Sequence, residues 1–287
     1  MANAIKNIST QLLVRQKNSW LGFLKGMFLA VIWQVYKRTL AYPVIIQTYR
    51  KTSFILRYNC ITSSRFVYEG TPDEKYIIIL ASFASENTVF VDVGANVGLY
   101  SVLLSGDFDK AILFEPNPVA ASMLKKNIAV NEKTSDYQVY EAAVGAERGK
   151  VSFPVLESPL PTASISLDSS ENVIERDLYC LDDVLGEVEE FVVKVDAEGF
   201  DAEVIMGMKN RLDNKKVKIC LFECHNLKIL KKVYDFLFVE NKFEYSIFDE
   251  KIQIDDLESF SQKKNRDIFI VRNDLVDAYI KQSESLK

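Results

Sequence analysis

Histidine, cysteine and proline are scarce in this chain of 287 residues. It contains one histidine, His225, with four cysteines and seven prolines. A structural zinc site needs about four closely spaced sulfur or nitrogen ligands, and no two of these cysteines form a Cys-x-x-Cys pair. We therefore predict no zinc site and assign no metal-binding residues, although Asp196, Glu198 and Glu223 carry oxygen ligands of the kind a hard cation takes. We expect the cysteines to be free thiols in a reducing, cytoplasmic setting.

Acidic residues are absent from the first quarter of the sequence. Residues 1–68 contain ten lysines and arginines and no aspartate or glutamate; because the whole chain carries −5, the remainder carries −15. Phosphates would repel such an acidic remainder, so we expect no nucleic-acid partner. The charge boundary predicts a helical extension over 1–68 and a catalytic domain over 69–287.

Long uncharged runs are also missing. Within the apolar stretch 20–36, the longest uncharged window covers residues 26–36, which is too short for a membrane span of about 20 residues. No cleavage site of the secretory type is found, so a signal peptide is not expected. Three interpretations of the extension stay open: a helix packed on the catalytic domain, peripheral contact of residues 1–58 with the inner face of an anionic membrane, or a dimerisation helix.

Apolar runs of strand length alternate with helical segments from about residue 58 onward. The clearest predicted strands are 89–93, 111–115, 137–142, 151–155, 191–195, 217–223, 243–248 and 267–272, and the clearest helices end near 104, 131, 212 and 240. This alternation predicts an α/β fold whose mainly parallel sheet is covered by helices on both faces. Ligands of such sheets lie beyond the carboxyl ends of the strands. A Pro/Ser-rich loop at 156–172 is long enough to suggest a lid.

A glycine turn follows the first of these strands, in the order Asp92-Val-Gly94-Ala-Asn96-Val-Gly98. In the dinucleotide fingerprint Gly-x-Gly-x-x-Gly, the middle glycine lets the backbone approach a pyrophosphate, and here Asn96 takes that place. A carboxylate such as Asp92 would repel a pyrophosphate and attract an ammonium group. The turn therefore favours a ligand with an amino-acid end and no phosphates, such as S-adenosylmethionine.

Charged residues also follow three further strands. Glu115 ends the second strand, where an acid can accept hydrogen bonds from both hydroxyls of a ribose. Lys194, Asp196 and Glu198 alternate at the end of another and are predicted to share one side of an extended chain. His225 follows the next, and histidine accepts protons near neutral pH. These last four residues are the predicted catalytic set.

Taken together, these segments resemble the FkbM family of methyltransferases. The matching segments are Val-Phe-Val-Asp-Val-Gly-Ala-Asn-Val-Gly at 89–98, Phe-Glu-Pro-Asn-Pro at 114–118, Leu-Lys-Lys-Asn-Ile-Ala-Val-Asn at 124–131, Ala-Val-Gly at 143–145, Leu-Asp-Asp-Val-Leu at 181–185, Lys-Val-Asp-Ala-Glu-Gly-Phe-Asp-Ala-Glu-Val-Ile-Met-Gly at 194–207 and Phe-Glu-Cys-His at 222–225. They occur in the expected order over about residues 85–272. The family's usual Asp-Val-Glu-Gly reads Asp-Ala-Glu-Gly here, and its usual Ala-x-Ser-Asp reads Ala-Val-Gly-Ala.

The resemblance implies a class I methyltransferase fold, which is a Rossmann-like seven-stranded sheet with the last strand antiparallel. It implies S-adenosylmethionine as the cofactor and, as the acceptor, a hydroxyl of a sugar, glycan or small metabolite. The implied cofactor-binding residues are Asp92, Gly94, Ala95, Asn96 and Gly98 around the methionine part, Glu115 at the ribose with its neighbours Pro116 and Asn117, and Ala142 and Ala143 at the adenine. A dinucleotide-dependent oxidoreductase and a non-catalytic cofactor-binding module tethered by the extension are the alternatives.

Overall fold

The computed structural model describes residues 20–40, 42–134, 136–154, 173–187, 189–255, 257 and 266–286. The predicted lid at 156–172 and residues 1–19 of the predicted extension lie outside these ranges. The helices are α1 (Trp20–Thr39), α2 (Ile61–Glu69), α3 (Glu74–Ala81), α4 (Leu99–Leu103), α5 (Pro118–Ala129), α6 (Leu181–Val184), α7 (Asp201–Met206), α8 (Lys209–Asp213), α9 (Leu227–Tyr234) and α10 (Val276–Ser285). The strands are β1 (Val44–Gln47), β2 (Ser53–Leu56), β3 (Thr88–Val93), β4 (Lys110–Phe114), β5 (Asp136–Tyr140), β6 (Ala143–Gly145), β7 (Gly149–Pro154), β8 (Val173–Cys180), β9 (Glu190–Val195), β10 (Val217–Cys224), β11 (Tyr245–Asp249), β12 (Ile252–Gln253) and β13 (Arg266–Arg272).

The central sheet has the strand order β5-β4-β3-β9-β10-β13-β11-β12. Neighbouring strands are parallel from β5 to β10, and β13 runs antiparallel between β10 and β11. This arrangement confirms the predicted class I methyltransferase fold. The sheet has one strand more than the predicted seven, because the chain reverses after β11 through Glu250 at φ 54° and pairs the two-residue β12 with β11.

The two faces of the sheet carry separate apolar cores. Along β3, Phe90 belongs to the cluster that also contains Ile77 of α3, whereas Val89 and Val91 belong to the cluster that contains Leu230 of α9. Successive side chains of a strand point to opposite faces, so a run of consecutive apolar residues fills both cores at once. The predicted placement of helices on both faces follows from this pattern.

A separate three-stranded sheet, β6-β8-β7, lies beside the central one and was not expected. Strand β8 pairs parallel with β6 and antiparallel with β7. Its sequence, Val-Ile-Glu-Arg-Asp-Leu-Tyr-Cys, has three consecutive charged residues, which conceal the strand pattern. This small sheet brings Ala143, Val144 and Phe153 to the cavity described below.

Two predicted helices differ from the observed ones. The helix expected over 201–212 is interrupted at Gly207, because this residue packs on the small sheet: a Cβ at Gly207 would lie 2.2 Å from the Gly145 carbonyl oxygen. The Gly207 carbonyl in turn accepts a hydrogen bond from the Asp182 N–H at 2.8 Å. The helix expected over 227–240 ends at Tyr234 and continues as a π-helical turn over Asp235–Glu240.

The described part of the predicted extension makes contacts within itself, through α1 and α2, and with the domain, through β2. In α1, the Trp33 Nε1–H donates to Ser64 Oγ of α2 at 3.1 Å. In β2, Phe54 is fully buried, and the N–H groups on either side of it donate to the side chains of Asn131 and Asn127 at 2.8 Å each. The predicted boundary at 68/69 falls in the last turn of α2. Within the described ranges, no helix combines the length and the apolarity needed to cross a membrane.

Candidate active site

A cavity opens at the carboxyl ends of β3, β4 and β9. Seven of the predicted cofactor-binding residues line it: Gly94, Asn96, Glu115, Pro116, Asn117, Ala142 and Ala143. Two of the predicted catalytic residues, Asp196 and Glu198, line it as well. The rest of the wall consists of Val93, Phe114, Ala120, Val144, Phe153 and Ala197. An apolar lining with a few convergent polar groups is typical of small-ligand sites.

Gly94 brings the ends of two strands into close contact. Its φ is +72°, and a Cβ built there would lie 2.0 Å from the carbonyl oxygen of Asp196. Its N–H and that of Ala95 donate to the Phe114 carbonyl at 3.0 and 2.9 Å. Only glycine combines this backbone conformation with so close an approach. The turn after β3 is therefore held against β4 on one side and β9 on the other.

A buried ion pair lies beneath the cavity floor. The Lys194 Nζ is 3.5 Å from Asp92 Oδ1 and 3.3 Å from Asp196 Oδ2, and it donates to the Gly94 carbonyl at 3.0 Å. The Ser101 hydroxyl donates to Asp92 Oδ2 at 2.6 Å. Burial raises the pKa of Asp92, while Lys194 and Ser101 oppose that rise. Burial alone would lower the pKa of Lys194, but Asp196 and Asp92 raise it above its usual range, so the ammonium stays charged.

This pair changes the interpretation of Asp92. The residue is 1% exposed and does not line the cavity. The sequence pattern predicts that its carboxylate attracts a ligand's ammonium group directly. In the structure, Asp92 is engaged by Lys194 and Ser101 and holds the glycine turn from below.

Glu115 forms the polar wall of the cavity. It follows β4 and is 6% exposed. One carboxylate oxygen accepts the Asn96 N–H at 2.7 Å, and the other accepts the Asn117 N–H at 2.8 Å. Burial raises the pKa of Glu115 to about 7, although both N–H groups oppose the rise. Each oxygen has a further lone pair, so the carboxylate can accept two more hydrogen bonds from a ligand in the cavity.

Asn96 and Asn117 each fix one oxygen of the Glu115 carboxylate. Asn96 has φ +49°, and among the described residues its side-chain Oδ1 is buried without a hydrogen-bond partner. Asn117 caps α5 by accepting the Val119 N–H at 2.9 Å, and Pro118 occupies the first helical position, where its missing N–H costs nothing. An orphaned buried acceptor at a cavity wall needs a partner, and a bound ligand would supply one.

The acidic turn after β9 faces the cavity from the other side. The alternating pattern predicts an extended chain here, but β9 ends at Val195 and Glu198 adopts φ +48°. Asp201 shapes the turn by accepting the N–H groups of Ala197 at 3.3 Å and Gly199 at 3.1 Å. Burial and the neighbouring Asp196 raise the pKa of Glu198 to about 7. A carboxylate that exchanges its proton near neutral pH thus lies at the cavity wall.

His225 lies next to this turn but does not line the cavity. Its Nε2 is 3.7 Å from Glu223 Oε2, and within the described part of the chain that nitrogen is buried without a hydrogen-bond partner. Glu198 and Glu223 both interact electrostatically with His225. Burial and Asp196 raise the pKa of Glu223 to about 7.

Three of the remaining predicted residues lie behind the cavity wall. Ala95 and Lys194 are buried without lining the cavity. Gly98, at φ +90°, begins α4, and a Cβ there would lie 2.7 Å from Leu124 Cδ1. Gly98 therefore allows α4 and α5 to pack closely. The described residues contain no group of three histidine, cysteine or acidic side chains arranged to hold a metal ion.

Four residues that shape the site were not predicted from the sequence. Ser101 bonds Asp92, and the ring of Tyr100 lies 5.5 Å from the Lys194 Nζ. Both could have been found from their position in the helix that follows the glycine turn. Asp201 could have been found as an acid at the start of a helix. Phe153 comes from the small sheet, and no sequence signal connects that sheet to the cavity.

Comparison with known proteins agrees with this geometry. The sequence model described as the methyltransferase FkbM domain matches residues 92–249, which is more than half of the chain. The chain therefore belongs to the FkbM methyltransferase family. The matched region contains both cavity-lining turns, Glu115 and His225.

Two curated relatives are similar over this region. The hexuronic acid methyltransferase AglP of Haloferax volcanii is 30% identical over 156 residues, which are 53% of this chain and 62% of the relative. The methyltransferase sdnD of Sordaria araneosa is 27% identical over 157 residues, which are 42% of this chain and 61% of the relative. The chain thus spans about three fifths of the length of these relatives. A solved structure of M. jannaschii TYW2 in complex with AdoMet superposes with a TM-score of 0.41 at 16% identity, over 79% of this chain and 84% of that one.

Proposed function

We propose that this protein is an S-adenosylmethionine-dependent methyltransferase that methylates a hydroxyl group of a sugar, glycan or small metabolite. The observation that carries this proposal is the Glu115 carboxylate. It is fixed by two backbone N–H groups at one wall of the cavity, opposite the acidic turn of Asp196 and Glu198. Membership of the FkbM family supports methyl transfer over the oxidoreductase alternative.

The cavity fits the proposed cofactor in its chemistry. Glu115 would accept hydrogen bonds from the two ribose hydroxyls, and the orphaned Oδ1 of Asn96 would accept one from the ammonium of the methionine part. The apolar wall of Ala142, Ala143 and Phe153 would hold the adenine. Carboxylates on opposite sides of the cavity suit a ligand with a positive charge at its centre.

The chain's own residues would orient the acceptor and remove its proton. When bound, S-adenosylmethionine supplies an already activated methyl group, so positioning of the acceptor should provide most of the rate. Glu198 at the cavity wall and His225 beside it are the groups that can take up the hydroxyl proton, at a carboxylate oxygen or at Nε2. The Lys194 ammonium is held by two carboxylates and a carbonyl, so it serves to fix the two turns.

The acceptor proposed here is an uncharged hydroxyl compound. The similarity to a hexuronic acid methyltransferase supports a sugar acceptor. However, two acidic side chains, Asp196 and Glu198, line this cavity, and Glu223 interacts electrostatically with both. Carboxylates this close would repel a uronate. A neutral sugar or glycan hydroxyl therefore suits this site better than an acidic one.

The test combines cofactor binding with methyl transfer. Calorimetric titration with S-adenosylhomocysteine and with NADH should show binding of the first alone, and Glu115→Gln should weaken it by about tenfold to a hundredfold, because a charged acceptor is lost. Glu244→Gln, which alters the exposed acid of the salt bridge with Lys215, is the matched control and should bind as the wild type does. Binding of NADH alone would overturn the proposal.

Methyl transfer is measured next with a radiolabelled methyl donor and a panel of neutral and acidic mono- and oligosaccharides. Label in a neutral sugar product supports the proposal. Label only in uronic acids would contradict the acceptor class but not the reaction. S-adenosylhomocysteine binding without label in any product would favour the non-catalytic module.

A further inference from the structure

Helix α1 has an apolar face that no described residue covers. Gly26, Ala30 and Trp33 of this helix are buried on the side that packs on α2. On the other side lie six large apolar side chains, each exposed by 45% to 66%: Leu24, Met27, Phe28, Val31, Ile32 and Val35. With 3.6 residues per turn, these six span about 140° of the helix surface, centred opposite the buried side.

The chain that follows α1 is apolar and exposed as well. Leu40, Tyr42 and Ile45 are 59%, 71% and 62% exposed. The Tyr36 hydroxyl donates to the Tyr42 carbonyl, which holds this segment against the end of the helix. Soluble domains rarely expose an apolar patch of this extent unless it binds something.

The segment that contains this face carries charge of one sign. Residues 1–68 contain ten basic and no acidic side chains. Two of these cations are neutralised within the domain, Arg50 by Asp107 and Arg65 by Glu69 and Asp73. Arg38 at the end of α1 and Lys51 in the hairpin are exposed. An apolar helix face within an acid-free basic segment complements a surface of anionic phosphates over hydrocarbon.

A second copy of the chain fits this face less well. A symmetric contact between two copies would bring two acid-free basic segments together, and like charges at an interface disfavour association. Contact with a different face of the second copy lacks an apolar counterpart. In the described chain beyond residue 61, the exposed large apolar side chains lie singly on separate elements: Val130, Val173, Leu227, Val239, Ile252 and Ile280.

We propose that α1 docks this protein on the surface of a lipid bilayer that contains anionic lipids. The six-residue apolar face would enter the boundary between headgroups and acyl chains, with the helix lying in the plane of the surface. The basic side chains of the same segment would contact the lipid phosphates. The proposal is independent of the methyl-transfer reaction, because it concerns a surface formed by other residues.

The experiment is co-sedimentation of the full chain with vesicles, without any substrate. One set of vesicles is pure phosphatidylcholine, and the other contains phosphatidylglycerol as well. We expect sedimentation with the anionic vesicles only, weakened when salt is raised from about 0.05 M to about 0.5 M. The triple variant Phe28→Ser, Val31→Ser, Ile32→Ser should reduce partitioning by at least about tenfold.

The matched control is Val239→Ser with Ile252→Ser, since these side chains are equally exposed, at 63% and 71%, on other elements. This variant should sediment as the wild type does. Thermal unfolding checks that both variants fold. The proposal is overturned if the wild type sediments with neither set of vesicles. A wild-type dimer in analytical ultracentrifugation that the triple variant converts to a monomer also overturns it, because the face is then an interface between copies.

Discussion

At the scale of single residues, Gly94 allows the two turns that line the cavity to come into contact. Its φ is +72°, and a Cβ added there would lie only 2.0 Å from the Asp196 carbonyl oxygen, which leaves no room for a side chain. We expect Gly94→Ala to lower the free energy of unfolding by about 3 kcal/mol, through backbone strain and displacement of the Asp196 turn. Urea denaturation measures the change.

The control is Gly106→Ala, because a Cβ at Gly106 meets nothing within 4 Å. Its effect on the free energy of unfolding should stay within about 0.5 kcal/mol. Equal stability of Gly94→Ala and the wild type would mean that the turn after β3 is not held by the end of β9.

The Lys194–Asp92 pair gives a second prediction at this scale. Lys194→Met removes the ammonium and leaves Asp92, which is 1% exposed, without its cation. An uncompensated buried charge costs about 3 to 5 kcal/mol of stability. Adding Asp92→Asn to Lys194→Met should recover part of this loss, because no buried carboxylate remains at residue 92. A double-mutant cycle in urea measures the coupling, and additive single effects would show that the pair does not interact.

At the scale of elements, the acidic turn after β9 and the end of β10 make the stability of the fold depend on pH. Burial raises the pKa of both Glu198 and Glu223 to about 7. Between the unfolded value of about 4.5 and 7, the folded state holds more protons than the unfolded state. The stabilising effect of these protons is therefore complete below about pH 4.5 and is lost as the pH rises through 7.

The variant Glu198→Gln, Glu223→Gln tests this dependence. The melting temperature of the wild type should fall between about pH 5 and pH 7.5, and the double variant should reduce this fall to the part that other buried carboxyls contribute, Glu115 among them. Glu240→Gln with Glu284→Gln, two exposed acids elsewhere, should leave the slope unchanged. Differential scanning fluorimetry at closely spaced pH values provides the measurement, and an unaltered slope in the first variant contradicts the assignment.

The sequence predicts most elements of the central sheet well, because its inner strands are buried on both faces and read as continuous apolar runs. The glycine turn and Glu115 could be located for the same reason, since each directly follows such a run. Strand β8 and the hairpin β1–β2 could not, because they are short or interrupted by charges. A residue's position along the chain also does not show whether its side chain reaches the cavity. Asp92 and Glu115 both lie at the end of a strand, yet only Glu115 lines the cavity.

At the scale of the whole molecule, the basic N-terminal segment and the domain share one hydrophobic core. Phe54 of β2 is fully buried in the same apolar cluster as Phe90 of the central sheet. We expect Phe54→Ala to lower the free energy of unfolding of the entire domain by about 3 to 5 kcal/mol. Phe28→Ala, at an exposed position, should change it by less than about 0.5 kcal/mol.

Circular dichroism and tryptophan fluorescence during urea unfolding distinguish one body from two. Both tryptophans, Trp20 and Trp33, lie in α1, whereas most of the helical signal comes from the domain. Coincident transitions for both probes, displaced together in Phe54→Ala, are expected for a single cooperative unit. An early fluorescence transition on its own would show that the segment unfolds separately.

The contact between Gly94 and the Asp196 carbonyl also limits how this protein could be re-engineered. The turn after β3, proposed to hold the cofactor, touches the turn after β9, proposed to face the acceptor, through backbone atoms. Exchanging the whole Asp-Ala-Glu-Gly loop for one from a relative would therefore disturb both turns together. A change in the proposed acceptor is better sought with side-chain libraries at Glu198 and Glu223 on an unaltered main chain.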